Sequence, residues 1–334
     1  MDHPAMPTPT PSRTATALWY TAPGRAALLT ESLPALGPGD VLVRSLYSGM
    51  SRGTESLVYH GRVPAAEYAR MRAPHQGGAF PFPVKYGYAA VGVVEAGSAT
   101  LNGQTVFALH PHQDRFVVPE QAVIPVPGGL PPRRAVLAAN METALNALWD
   151  AGAGPAMRIA VIGGGVVGLL TAFLAARLPG AEVTLVDLEP ARATVAGALG
   201  CRFALPADAP GDCDLVFHAS ASAAGLGTAL GCAGDEARVI EMSWYGTDSV
   251  AAPLGGAFHA RRLQLISAQV GQVSPYLRPR WDYRRRLAAA LDLLADPRLD
   301  ALLEAPCPLA DLPAQLPDIL RPGGTRLAQV ISYP

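Results

Sequence analysis

The stretch RIAVIGGGVVGLLTAFLAARLPGAEVTLVD, residues 158–187, decides how the rest of this chain is read. It opens as a short buried strand, RIAVIG, passes through glycines into an apolar helix, VVGLLTAFLAARL, and returns as a second strand, EVTLVD. Gly163, Gly165 and Gly168 stand in G-x-G-x-x-G spacing where the strand hands over to the helix. Glycines there permit a tight turn, let a pyrophosphate approach bare backbone and let helix pack closely on strand. The N–H groups of Val166 and Val167 would then face phosphate at the positive end of the helix. Asp187 closes the second strand about 20 residues beyond the glycines, where a carboxylate bonds ribose hydroxyls. It also repels a 2′-phosphate, so the expected ligand is NAD in preference to NADP. Glu189 adds to that repulsion, whereas Arg192 opposes it, since it could reach a phosphate or the adenosine. Two other readings are an unliganded glycine turn and an S-adenosylmethionine methyltransferase. The first leaves the register of strand, helix, strand and acid unexplained. The second usually has an acid just before the glycines, where this chain has Val161 and Ile162.

Outward from this unit the strand–helix alternation continues through PARATVAGALG, DLVFHAS, ARVIEMS and LQLISAQV. Such alternation predicts a parallel, doubly wound sheet covered on both faces. Residues before about 130 read differently, as short strands between Gly/Pro turns: TATALWYTA, DVLVRSLYSG, GYAAVGVVEAG, QTVFALH, RFVVPE and AVIPVP. They predict a partly open barrel or a sandwich. The run PRRAVLAANMETALNALWDA between the two regions reads as a helix. After residue 272 come a helix, WDYRRRLAAALDLLAD, and a tail of short elements ending in a strand-like run. The expected division is 15–139, 140–272 and 273–334, with the last part returning to the first. The fold class is α/β.

The bulk properties narrow the function classes. The 334 residues carry a net charge of −1 and are half apolar, so no electrostatic footprint for nucleic acid or anionic membrane is expected. The N-terminus lacks the basic region and apolar core of a secretory signal. The four cysteines form no C-x-x-C pair, which argues against a disulfide framework or structural zinc and makes a reducing cytoplasm the expected compartment.

The segment SGMSRGTESLVYHGRVP, residues 48–64, crowds Ser51, Arg52, Thr54 and Glu55 where a strand ends. With a β-rich first part, a dinucleotide unit and a C-terminal return, the chain resembles the medium-chain dehydrogenase/reductase superfamily. That resemblance implies a GroES-like catalytic domain split around a Rossmann domain, with the active site in the cleft between them. Zinc-dependent members place a cysteine where this chain has Ser51, and a Gly-His-Glu motif where it has Gly87, Tyr88 and Ala89. Their third ligand falls near Ala139. The lobe with four structural cysteines is also missing from its usual place. The resemblance therefore implies a zinc-free member. The motifs GMSRGTE, HGRVP and YGYAAVG are most similar to the bacteriochlorophyllide hydroxyethyl dehydrogenase-like branch, which oxidises a secondary alcohol on a tetrapyrrole with NAD.

Without zinc, side chains must stabilise the developing alkoxide and supply its proton. The expected catalytic candidates are Tyr88, Ser51, His112 and Lys85. Tyr88 and Ser51 stand at vacated ligand positions, although Tyr88 could equally pack its ring on the core and Ser51 simply fill space. His112, with His110, lies where the missing lobe would begin. Lys85, the one lysine of the chain, could lower the pKa of Tyr88. By the resemblance, Arg52 would sit on the cofactor pyrophosphate and Thr143 on the nicotinamide. Gly53 stands where the family often has a hydroxyl-bearing relay, for which Thr54 could substitute. Glu55 is an acid/base group or a partner for Arg52. PYLRPRWDYRRR could meet a planar or anionic small-molecule substrate, or form a solvated face. The expected function is interconversion of a secondary alcohol and a ketone. The alternatives are reduction of an enone or quinone C=C bond and a non-catalytic dinucleotide sensor. By family analogy LQLISAQV would pair across a homodimer axis.

Overall fold

The computed structural model describes residues 14–334. Its first part holds two antiparallel sheets. In one, β1 (Thr14–Ala22) pairs with β2 (Arg25–Ser32) on one side and with the two-residue strand Val84–Lys85 on the other. The sequence reading passes over β2, whose apolar side chains are only partly buried and give a weak pattern. In the other sheet, β3 (Asp40–Met50) is the central strand, flanked by β4 (Ala90–Ala96) and β6 (Arg115–Pro119), with β5 (Thr105–Ala108) and β7 (Val123–Pro125) beyond β4. The end of β3 runs directly into α1 (Arg52–Tyr59), a helix that buries Glu55, Leu57, Val58 and Tyr59.

The expected helix after residue 130 is interrupted. A turn at Pro132–Ala135 precedes α2 (Ala138–Ala151), which ends where Gly152 takes the left-handed conformation. Then comes the parallel sheet: β8 (Arg158–Ile162), β9 (Glu182–Val186), β10 (Arg202–Ala204), β11 (Cys213–His218), β12 (Ala233–Glu241) and β13 (Gln264–Ser267). Their order across the sheet is β10-β9-β8-β11-β12-β13, with every pairing parallel. The connecting helices are α3 (Val166–Ala175), α4 (Arg192–Ala198) and α5 (Ala223–Cys232). The order reverses between β8 and β11, so a crevice opens beyond the carboxyl ends of those two strands, the usual ligand position in a doubly wound sheet.

The remaining chain closes back on both parts. α6 (Tyr283–Asp292) packs on α2, and α7 (Leu312–Ile319) buries Leu312, Leu316 and Ile319 against Leu18, Tyr20, Met50 and Tyr59. β15 (Gln329–Ser332), itself paired with β14 (Cys307–Pro308), adds antiparallel to β3 with Ile331 opposite Ser48. A single apolar core runs from Val91 and Phe107 through α2 and α3 to Val161 and Leu185, so the two sheet systems share one interior.

The arginine-rich segment 275–286 is a correction to the substrate reading. Arg286 is buried, donating to Glu142 Oε1 at 2.9 Å and Asn146 Oδ1 at 2.6 Å on α2. Arg284 donates to the carbonyls of Gln121 and Val123, Arg278 to that of Val273, and Arg285 stacks on Trp281. These guanidiniums serve internal acceptors and are not arrayed toward a ligand. The four cysteines are free and buried, and burial pushes the thiols of Cys201 and Cys213 up to about 11 and that of Cys232 to about 12. Among the described residues no helix is long and apolar enough to cross a membrane.

Candidate active site

The glycine cradle forms at the predicted place. Gly163 has φ +108, and a Cβ on it would come 2.7 Å from Ser220 N, so only glycine fits between the ends of β8 and β11. A Cβ on Gly168 would come 1.9 Å from Gly163 O, which brings α3 hard against the turn. Gly165 is exposed and has no neighbour within reach of a Cβ. It precedes α3, whose first backbone bond runs from Leu169 N to Gly165 O. The N–H groups of Val166, Val167 and Gly168 therefore have no acceptor within the helix and face the crevice end of the sheet. Asp187 follows β9 and is held in place: Oδ2 accepts Gly164 N–H at 2.5 Å and Oδ1 accepts Glu189 N–H at 2.8 Å. A bare glycine turn, a helix N-terminus and a fixed carboxylate fit the pyrophosphate and ribose of a dinucleotide.

Arg192 and Arg52 meet beside this cradle. The Arg192 stem lies against Gly164, and its guanidinium donates to Thr325 O. Arg52 donates to the carbonyls of Ile319 and Gly324 at 2.9 Å, and to that of Arg326. Burial and the neighbouring Arg192 charge lower its pKa. The expected pairing of Arg52 with Glu55 is thus corrected. Arg52 instead ties down the loop after α7, and that loop abuts the cradle through Arg192.

The vacated ligand positions also converge, but on a different chemistry. Ser51 follows β3, Tyr88 lies just before β4, and α2 brings Asn140 to Ser51. Ser51 Oγ is 3.5 Å from Asn140 Oδ1. Burial raises the Tyr88 phenol to about 12, and the Ser51 and Thr54 hydroxyls, which lie against it, hold back part of that rise. Tyr88 spans both readings, since its ring is packed on the two cores while its hydroxyl meets polar groups. Hydroxyls and an amide are poor Zn²⁺ donors beside thiolate and imidazole. Among the described residues no three His, Cys, Asp or Glu side chains cluster as a metal would need. Asn140 was missed in the sequence, where attention fell on its neighbour Ala139; a polar residue opening a helix at the family's ligand position was the available signal. Thr143, one turn further on, donates to Ala139 O at 3.0 Å within its own helix.

His112 lies behind this group and not in the cleft. Its side chain is 0% exposed, with Nε2 2.9 Å from Glu55 Oε2 and Nδ1 2.8 Å from Ser48 Oγ. Glu55, also 0% exposed, accepts the Tyr20 hydroxyl at 2.9 Å and the Ser51 N–H at 2.8 Å. Ser48 in turn contacts the Tyr333 hydroxyl at 2.8 Å. This largely buried network fixes the turn between β3 and α1 and with it the backbone of Ser51. Glu55→Gln keeps the shape but sets an N–H₂ donor against donors. It is expected to lose about 1.5–3 kcal/mol of stability in urea denaturation. His110 stacks on Phe116 at 3.9 Å, and its burial lowers its pKa well below the ordinary value. Lys85 is a further correction: its ammonium bonds Glu31 Oε1 and Gln113 Oε1 at the outer sheet and has no part in the Tyr88 environment.

No protein-family profile matches this chain. Solved structures do resemble it along nearly its whole length. L-idonate 5-dehydrogenase from Escherichia coli K-12 superposes with a TM-score of 0.78 at 15% identity, covering 96% of this chain and 98% of its own. An alcohol dehydrogenase from Thermus sp. ATN1 gives 0.71 at 22% identity, covering 96% and 100%. A short chain alcohol dehydrogenase from Escherichia coli CFT073, complexed with NADH, gives 0.76 at 14% identity over 96% and 100%. At these identities the likeness is one of architecture: the chain joins a GroES-like β-rich part to a Rossmann sheet.

Proposed function

We propose that this protein is a zinc-independent, NAD-preferring oxidoreductase of the medium-chain type that interconverts a secondary alcohol and a ketone. The observation that carries the reading is the meeting of Tyr88, Ser51, Thr54 and Asn140, polar but not metal-binding, beside a complete glycine cradle. A nicotinamide dinucleotide bound in that cradle would supply or accept the hydride. The protein's share is to hold the substrate oxygen and move its proton. With its phenol raised to about 12, Tyr88 keeps its proton at neutral pH and acts as hydrogen-bond donor to a carbonyl oxygen. Ser51 and Thr54 orient the phenol, and Asn140 adds an amide to the same wall. Arg52 and Arg192 are positioned to exchange their loop carbonyls for phosphate oxygens. The short motifs around Ser51 and Tyr88 support the bacteriochlorophyllide hydroxyethyl dehydrogenase-like branch, and hence a bulky secondary alcohol. The exposed edge strand β13 supports a homodimer, readable by light scattering.

The test has two arms. Wild-type protein should bind NADH in a fluorescence titration, and turnover of a secondary alcohol or its ketone should survive exhaustive chelation. Loss of turnover on chelation, restored by Zn²⁺, would end the zinc-independent reading. Asp187→Ala should weaken NAD about tenfold or more by removing a charged acceptor of ribose hydroxyls, and should narrow the gap to NADP. Competition titrations with the two cofactors measure that gap.

A further inference from the structure

The loop between α7 and β15 is fixed largely from outside. Its tip is a turn of its own, in which Pro322 and Gly323, at φ +68, stand between Arg321 O and the Gly324 N–H that donates to it at 3.1 Å. The carbonyls of the tip are claimed by two guanidiniums from other elements. Arg52, the first residue of α1, donates from Nη2 to Gly324 O at 2.9 Å and Arg321 O at 3.4 Å, and from Nη1 to Arg326 O. Arg192, the first residue of α4, donates to Thr325 O. Four carbonyls within six residues thus rest on two arginines. Gly324 is part of the fit, since a Cβ there would stand 2.9 Å from Arg52 Nη2. The ends of the loop are anchored differently. Arg52 Nε holds Ile319 O at 2.9 Å, and the buried Leu327 donates its N–H to Glu304 Oε1 at 2.8 Å.

The clamp is crowded with like charge. Asp318 pairs with Arg326 at 2.9 Å and with Arg321 at 3.6 Å, whereas among the described residues no carboxylate pairs with Arg52 or Arg192. Burial, then the Arg192 charge, lower the Arg52 pKa, and Glu304 opposes them in part. A carbonyl does little to relieve that repulsion. A phosphate meets the guanidiniums with full charge and bidentate geometry, which a carbonyl cannot offer. The loop also has room to leave. Arg321, Gly324, Thr325 and Arg326 line a cavity of about 380 Å³ together with Glu304 and Asp318.

We propose that residues 321–326 form a strap that competes with the phosphates of a dinucleotide for Arg52 and Arg192, and swings free when the dinucleotide binds. The inference rests on the dinucleotide reading above. Release stops at Leu327, so β15 keeps its pairing with β3. Re-closure of the strap opposes the bound phosphates and so favours departure of the cofactor.

The native cysteines are buried, so Thr325→Cys supplies an accessible thiol for a nitroxide label. Its electron-spin-resonance spectrum should sharpen when NADH or ADP-ribose saturates the protein, and adenosine, which lacks phosphate, should leave it unchanged. Amide exchange across 321–326 of the unlabelled wild type, which needs no variant, should rise about tenfold with NADH. Arg192→Ala should loosen the strap beforehand and cut that rise to about threefold. A strap that is unchanged or better protected with NADH, or freed equally by adenosine, overturns the proposal while leaving dinucleotide binding intact. Failure of the wild type to bind NADH in the same titration overturns both readings.

Discussion

Tyr88→Phe is expected to lower kcat by about 10²–10⁴-fold while NADH affinity stays within about twofold. The substitution removes one oxygen and leaves the ring that packs on both cores, so the fold has no reason to change. What is lost is the phenol placed against Ser51 and Thr54. With the Tyr88 phenol raised to about 12 by burial, no loss of activity assignable to it is expected below about pH 10. Ser51→Ala should cost less, because Ser51 acts by orienting Tyr88 and retains its backbone anchor on Glu55. Steady-state rates with saturating NADH, paired with a fluorescence titration, separate chemistry from binding. Wild-type kcat in Tyr88→Phe would remove the proposed donor.

The second large effect concerns stability. Arg286→Ala is expected to destabilise the protein by about 3–5 kcal/mol in denaturant unfolding at neutral pH. Arg286 bridges α6 to α2 through Glu142 and Asn146 and also donates to the carbonyls of Gln272 and Val270. Removing the guanidinium strands a buried carboxylate. Burial already raises the Glu142 carboxyl despite the attraction of Arg286, and loss of the cation raises it further. A carboxyl raised in the folded state binds its proton more tightly there. The destabilisation should therefore be smaller below about pH 4.5, where the proton is present in both states, and should grow as pH rises through the folded value. Replacing Arg286 and Glu142 together by leucine should recover most of the loss, because the pair contributes little beyond a hydrophobic substitute. A double-mutant cycle reads the coupling directly.

The legible parts of this chain are those whose demands are local. The cradle could be read because a positive φ at Gly163 and the approach of α3 at Gly168 each require a missing Cβ at a defined step from a strand. Most strands of the parallel sheet were visible because buried strands leave unbroken apolar runs, whereas the short, partly exposed β10 and the helix α5 were passed over. The longer strands of the β-rich part were read except for β2, where partial burial blurs the pattern, while the two-residue strand Val84–Lys85 is too short to show one. The helix after residue 130 was drawn too long, since periodicity alone does not reveal the break before Ala138.

The candidate site was legible only in part. Ser51 and Tyr88 were named from positions in a pattern, and the chain does bring them together. Asn140 was passed over because a one-residue shift along a helix turns the side chain by about 100°. Lys85 was drawn toward Tyr88 by nearness in sequence, and His112 was named for its place where the missing lobe would begin. The fold sends them elsewhere, Lys85 to Glu31 on the outer sheet and His112 to Glu55 in the interior.

The amino-acid sequence by itself determined the class of fold, the glycine cradle and the acid that follows it, since the strand–glycine–helix–strand unit is written within about 30 consecutive residues. Only the tertiary structure decided which polar groups work together. Glu55 meets His112 and Ser48 meets Tyr333 across 57 and 285 residues, and His218 faces Glu241 because two parallel strands align in one register and not another. Burial without a partner is costly for every one of these groups, so their partnerships are strict. The identity of each partner, however, is fixed by register and packing between distant segments, which no local pattern encodes.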